Sequence, residues 1–63
     1  MTTNFKMPHC VDDANGVVYV YVRSFLGAMA ASTVGKQTYP DHKIEFVSEE
    51  RFNELTKDYE RIN

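Results

Sequence analysis

The strict alternation of side chains over residues 16–23 restricts the fold of this chain more than any other feature. The run reads GVVYVYVR and is rich in β-branched and aromatic residues, which favour strands. Successive side chains of a strand point to opposite faces, so this strand has one aliphatic face and one largely aromatic face. The aliphatic face consists of Val18, Val20 and Val22, and the other face consists of Val17, Tyr19, Tyr21 and Arg23. The aliphatic face is suited to a core.

A hairpin is predicted immediately before this strand. Residues 4–11 alternate weakly, with Phe5, Met7, His9 and Val11 on one side, which indicates a first strand. Pro8 has no backbone N–H to donate, so we expect this strand at a sheet edge. The pair Asn15-Gly16 suits a tight turn because both residues tolerate positive φ angles.

The middle of the chain predicts a first helix. Ser24 is placed to cap a helix over residues 25–34, and Gly35 is placed to end it. Gly27 disfavours a helix by about 1 kcal/mol relative to alanine, so a strand over residues 31–34 is the alternative. Residues 36–42 are expected to form a loop, because Pro40 disfavours helical geometry in the residue before it.

A third strand and a second helix are predicted for the remainder. Residues 43–47 place Ile44 and Phe46 on one face, the pattern of a strand with one side on a core. Ser48 is placed to cap the helix that follows. An apolar stripe at spacings of three and four residues is made by Phe52, Leu55, Tyr59 and Ile62.

These elements predict an α+β fold in the order β-β-α-β-α, as one domain over residues 1–63. We expect a small single-layer three-stranded sheet with both helices on one face, the valine face. Whether the third strand lies beside the second or beside the first is left open.

Sixty-three residues form a small core, and an additional source of stability is expected. Cys10 is the single cysteine, so an intramolecular disulfide is excluded and a partner subunit is favoured. A lone thiol, together with the lack of a signal peptide or a membrane-spanning run, favours a cytoplasmic location.

The residues that bear catalytic or metal-binding chemistry are few. His9, Cys10 and His42 make one set of three candidate ligands, whereas structural zinc normally takes four. His9 and Cys10 are adjacent on a strand and point to opposite faces, which disfavours a thiol and base pair. We therefore expect no enzyme activity, no metal and no cofactor.

The aromatic face of the second strand is the predicted contact surface, since both helices are expected on the other side. Tyrosine and arginine are favoured at protein interfaces. The predicted partner-binding residues are Val17, Tyr19, Tyr21, Arg23, Lys43 and Glu45. This predicts a small non-catalytic protein-binding module, such as a regulator or inhibitor that occludes its partner.

Three partners remain open for this face: a second copy in a homodimer, a different protein, or single-stranded nucleic acid. In the last case the tyrosines stack on bases while Arg23, Lys6 and Lys43 meet phosphates. The net charge of −2 gives little long-range attraction for a phosphate backbone.

Overall fold

The protein is described by a computed structural model that covers residues 5–63. Over this range the chain forms three strands and two helices in the predicted order β-β-α-β-α. The elements are β1 (His9–Asp12), β2 (Val17–Tyr21), α1 (Phe25–Thr38), β3 (Lys43–Val47) and α2 (Glu49–Leu55).

The strands form one mixed sheet in the order β1-β2-β3. β1 runs antiparallel to β2, as expected for a hairpin, and β3 runs parallel to β2. The open question of the position of the third strand is thereby answered: it lies beside the second. A parallel neighbour requires a crossover connection, and α1 provides it. β2 is the central strand, and β1 and β3 are the edges.

β1 is shorter than predicted but lies at an edge, as Pro8 requires. The predicted strand over residues 4–11 is wrong in its first half, because regular pairing begins only at His9. Its first residue, Asn4, lies outside the described residues. The predicted turn is confirmed, with Gly16 at a φ of 65° and its N–H donating to the Asp13 carbonyl at 3.3 Å.

α1 begins where the sequence predicts and ends later. The Ser24 hydroxyl accepts a hydrogen bond from the Gly27 N–H, which confirms the cap, and the alternative strand over residues 31–34 does not form. Gly35 does not end the helix but is buried within it. A Cβ added at Gly35 would stand 3.3 Å from Cδ1 of Ile44, so the glycine allows the helix to lie close to the sheet.

The valine face of the sheet carries α1, as predicted. Phe5, Val18, Val20 and Ala31 are buried together there, and Val34 and Ile44 pack against them. Phe5 comes from the segment before β1 and closes the core from that side.

The prediction that both helices share the valine face is wrong, since α2 lies on the opposite, tyrosine face. Phe52 and Leu55 of α2 are buried there with Cys10, and Tyr19 and Tyr21 pack against this second cluster. The physical reason is width. In a three-stranded sheet, the axes of the two outer strands lie about 10 Å apart, and one helix with its side chains is about as wide. α1 therefore leaves no room for a second helix on the valine face.

α2 is also shorter than its apolar stripe predicts. The Ser48 hydroxyl accepts from the Arg51 N–H, which confirms the predicted start, but the helix ends at Leu55. Tyr59 and Ile62 belong to a non-helical segment that continues past the helix. Ile62 exchanges two backbone hydrogen bonds with His9, at 3.0 and 2.8 Å, and so ties this segment to β1.

Candidate protein-binding surface

The tyrosine face expected to be bare is covered by the chain itself. The ring of Tyr21 stacks on the ring of Phe52, and the ring of Tyr19 lies 6.3 Å from that of Tyr59. The Tyr21 hydroxyl donates to the Glu49 carboxylate at 3.0 Å. This hydrogen bond is the largest cause that raises the pKa of Tyr21. Both tyrosines therefore serve a second core.

The six predicted partner-binding residues are divided between different surroundings. Tyr19 and Tyr21 are half-buried beside the α2 core. Arg23 is exposed beyond the end of β2. The other three, Val17, Lys43 and Glu45, lie close together, because the register pairs Val17 with Lys43 and Tyr19 with Glu45. The side chains of Lys43 and Glu45 are both exposed.

A different surface exposes large apolar side chains. On α1, Phe25 is 79% exposed, Leu26 is 76% exposed and Met29 is 54% exposed. On β3, Phe46 is 42% exposed, although the sequence predicted it for the core. Because Phe46 pairs in register with buried Val20, it lies on the α1 side of the sheet.

Three of these side chains meet in an open groove between α1 and β3. The groove has a volume of about 360 Å³. Its lining residues are Phe25, Ala28, Met29, Ser32, Thr33 and Phe46. Phe25, Met29 and Ser32 are spaced four and three residues apart and so occupy one flank of the helix. Aromatic and thioether side chains around small residues make a site suited to an apolar side chain.

The groove borders the outer edge of β3, which has no further strand beside it within residues 5–63. The Lys43 N–H donates to the Gly16 carbonyl at 2.8 Å, so the backbone groups of Lys43 point toward β2. In a strand this direction alternates, so the backbone groups of Ile44 and Phe46 point away from β2. They form an edge that is ready to pair with another strand.

Two side chains of opposite charge, Lys43 and Glu45, lie along this edge on the face of the sheet opposite α1. Lys43 and Glu45 are exposed, and their β2 neighbours Val17 and Tyr19 are uncharged. In the described part of the chain the ion pairs are His42–Asp13 and Arg51–Glu54, and neither Lys43 nor Glu45 takes part in one. We call the groove together with the β3 edge the edge surface; it consists of the groove residues, Ile44, and the flanking Lys43 and Glu45.

His9 and Cys10 point to opposite faces of β1, as predicted. His9 packs against Phe5 and Tyr39 on the α1 side, while Cys10 is buried against Phe52 on the other side. Burial raises the pKa of the Cys10 thiol. Among residues 5–63, no group of three or more His, Cys, Asp or Glu side chains is arranged to hold a metal ion.

His9 is buried, and both of its ring nitrogens have hydrogen-bond partners. Its Nδ1–H donates to the Met7 carbonyl at 2.6 Å, and its Nε2 lies 2.9 Å from the Tyr39 hydroxyl. A carbonyl only accepts, so Nδ1 carries the proton and Nε2 of the neutral ring accepts from Tyr39. Burial lowers the pKa of His9.

Comparison with family models, curated proteins and solved structures finds no match for this chain. Neither helix found in residues 5–63 is long and apolar enough to cross a membrane.

Proposed function

We propose that this chain is a small non-catalytic protein-binding module whose partner docks on the edge surface. The observation that supports this proposal is the clustering of Phe25, Met29 and Phe46 beside an open strand edge. Single exposed apolar residues are ordinary on protein surfaces, whereas a contiguous group around a groove commonly marks an interaction site.

The two parts of the edge surface supply complementary kinds of recognition. The outward backbone groups of Ile44 and Phe46 offer hydrogen bonds to an added strand, which give affinity with little dependence on sequence. The groove accepts an apolar side chain of that strand or of a neighbouring element, which gives specificity. A module that acts in this way regulates or inhibits its partner by occluding a surface.

A protein partner is favoured over nucleic acid. The nucleic-acid hypothesis requires free tyrosine rings for base stacking, and Tyr19 and Tyr21 pack against the α2 core. The net charge of −2 also opposes binding to phosphates.

Affinity capture from the native host with matched variants tests the proposal. The wild-type chain is compared with a Phe25→Ser, Met29→Ser double variant, whose replaced side chains are exposed, so the fold is expected to persist. The control is an Asn53→Ser, Lys57→Ser double variant, which changes two exposed residues on and just beyond α2. We expect proteins captured by the wild type and the control to be lost from the groove variant. Equal capture by all three chains would contradict the proposal.

A salt series separates the two classes of partner. We expect fluorescence anisotropy with labelled single-stranded oligonucleotides to show no binding that weakens steeply as salt rises. Salt-dependent binding that is lost in Arg23→Ala would instead support the nucleic-acid hypothesis.

A further inference from the structure

We infer that the partner of the edge surface is a second copy of this chain, joined through antiparallel pairing of β3 with β3. This inference rests on the proposed function, since it names the occupant of the same surface. It further places Ile44 on the two-fold axis and pairs Lys43 of each subunit with Glu45 of the other.

Hydrogen-bond geometry restricts how two β3 strands can pair. Only the backbone groups of Ile44 and Phe46 point toward the free edge, so the narrow, hydrogen-bonded positions of an antiparallel ladder must fall on them. Lys43 and Glu45 then occupy the wide positions, where opposed side chains approach each other most closely.

Two-fold symmetry allows the axis on any of the five residues of β3, and charge distinguishes these registers. An axis on Lys43 opposes two lysines of like charge, and an axis on Val47 leaves the charges unmatched within the strand. An axis on Glu45 opposes two carboxylates of like charge, which is unfavourable. An axis on Phe46 places Glu45 opposite the partner copy's valine at position 47 and leaves the charges unmatched. An axis on Ile44 places Lys43 opposite Glu45 twice, once on each side of the axis.

The charge pattern is therefore complementary to itself. Lysine on an edge strand ordinarily blocks edge-to-edge pairing, because two identical edges then repel. Here Glu45 follows two residues after Lys43, and neither side chain has an intramolecular ion pair within residues 5–63. Antiparallel pairing with a second copy satisfies both charges, whereas pairing with an unrelated strand has no such requirement.

The same arrangement accounts for the apolar groove. A two-fold axis perpendicular to the sheet keeps both α1 helices on one face of a continuous six-stranded sheet, on either side of the seam. Phe25, Met29 and Phe46 then border the seam instead of facing open water. A larger joint core also suits a chain of 63 residues, which buries a small share of its surface alone.

Charge reversal tests this register directly. The experiment is analytical ultracentrifugation of the full chain, the Lys43→Glu and Glu45→Lys single variants, the double charge-swap variant, and an equimolar mixture of the single variants. Either single change turns two attractive contacts into two repulsive ones. The swap and the mixture each restore both attractive contacts.

We expect the wild type to sediment at twice its 7.3 kDa mass. Each single variant is expected to dissociate at least about tenfold more readily, and the swap and the mixture to recover dimer formation. Circular dichroism checks that every variant is folded, which the exposure of both positions favours.

A monomeric wild type at all concentrations would overturn the inference, and so would a dimer that is insensitive to these charges. Neither result bears on the proposed function, which the capture experiment with the groove variant decides separately. A monomer whose capture is lost in the groove variant identifies a different protein as the occupant.

Discussion

The rings of Tyr21 and Phe52 lie nearly parallel, with their centroids 6.0 Å apart and their planes inclined by 19°. This stack joins the central strand to α2 and gives the sheet a core on each face. Tyr21 is half-buried against this core, and the exposed apolar side chains Phe25, Met29 and Phe46 lie on the α1 side instead.

Phe52→Ala is expected to lower the free energy of unfolding by about 3–5 kcal/mol, the usual cost of removing a buried phenylalanine ring. The change removes the contacts with Tyr21 and leaves a cavity beside Cys10. Urea unfolding monitored by circular dichroism measures the loss. Asn53→Ala, at the exposed neighbouring position, serves as the control, and an equally small effect of both changes would contradict the second core.

Gly35→Val is expected to destabilise the protein by about 1–3 kcal/mol through overpacking. The new side chain enters the contact between α1 and the sheet, where its Cβ alone would stand 3.3 Å from Ile44 and 3.5 Å from Phe5. Ala30→Val, at an exposed position of the same helix, costs about the difference in helix propensity alone, less than 1 kcal/mol. Equal thermal stability of the two variants would show that α1 does not lie this close to the sheet.

Stability is expected to fall as the pH drops from 7.5 to 5.5, because the pKa of His9 is lowered in the folded protein. Below the ordinary histidine pKa of 6.5, the unfolded chain takes up a proton at His9 more readily than the folded chain does. Urea midpoints across this range measure the effect. His9→Gln is expected to reduce the pH dependence, while His42→Gln keeps the contribution of His9. A slope that is unchanged in His9→Gln would rule out this assignment.

Tyr59→Phe is expected to lower the urea midpoint, since the Tyr59 hydroxyl donates to the buried Asp12 carboxylate at 3.1 Å. Asp12 also accepts from the Asn15 side chain, the largest cause that lowers its pKa. Without the Tyr59 hydroxyl, we expect the pKa of Asp12 to rise, as NMR titration of its carboxyl carbon can measure. An unchanged titration would contradict this contact.

Local patterns predicted most elements of the fold. Alternation located β2, the Ser24 and Ser48 caps located the starts of both helices, and the bounds of β3 agree with the predicted residues 43–47. These features depend on neighbours in the sequence. The errors concern long-range packing: Gly35 has the chemistry of a helix end, but tight contact with Ile44 keeps it inside α1.

Lys43 and Glu45 of the edge surface were predicted as contact residues, but the groove was not, because tyrosine was taken for a surface residue and Phe46 for a core residue. One feature of α1 indicates that some of its large apolar residues are exposed. Phe25 and Leu26 are consecutive and so point about 100° apart on a helix, and the sheet-facing side is occupied by Ala31 and Gly35. Phe25, Leu26 and Met29 accordingly lie outside the core, whereas Val34 packs against it. That the exposed group adjoins an open edge depends on strand order, which the pattern left undecided.

Site-specific photocrosslinking in the native host tests the central claim, that the α1 and β3 side of the molecule is the protein interface. A photoreactive phenylalanine analogue is placed at position 25 in the groove and, in a separate chain, at position 53 on the exposed side of α2. We expect adducts from position 25 and none from position 53, with a product of twice the chain mass identifying a second copy. Adducts from position 53 alone would contradict the account.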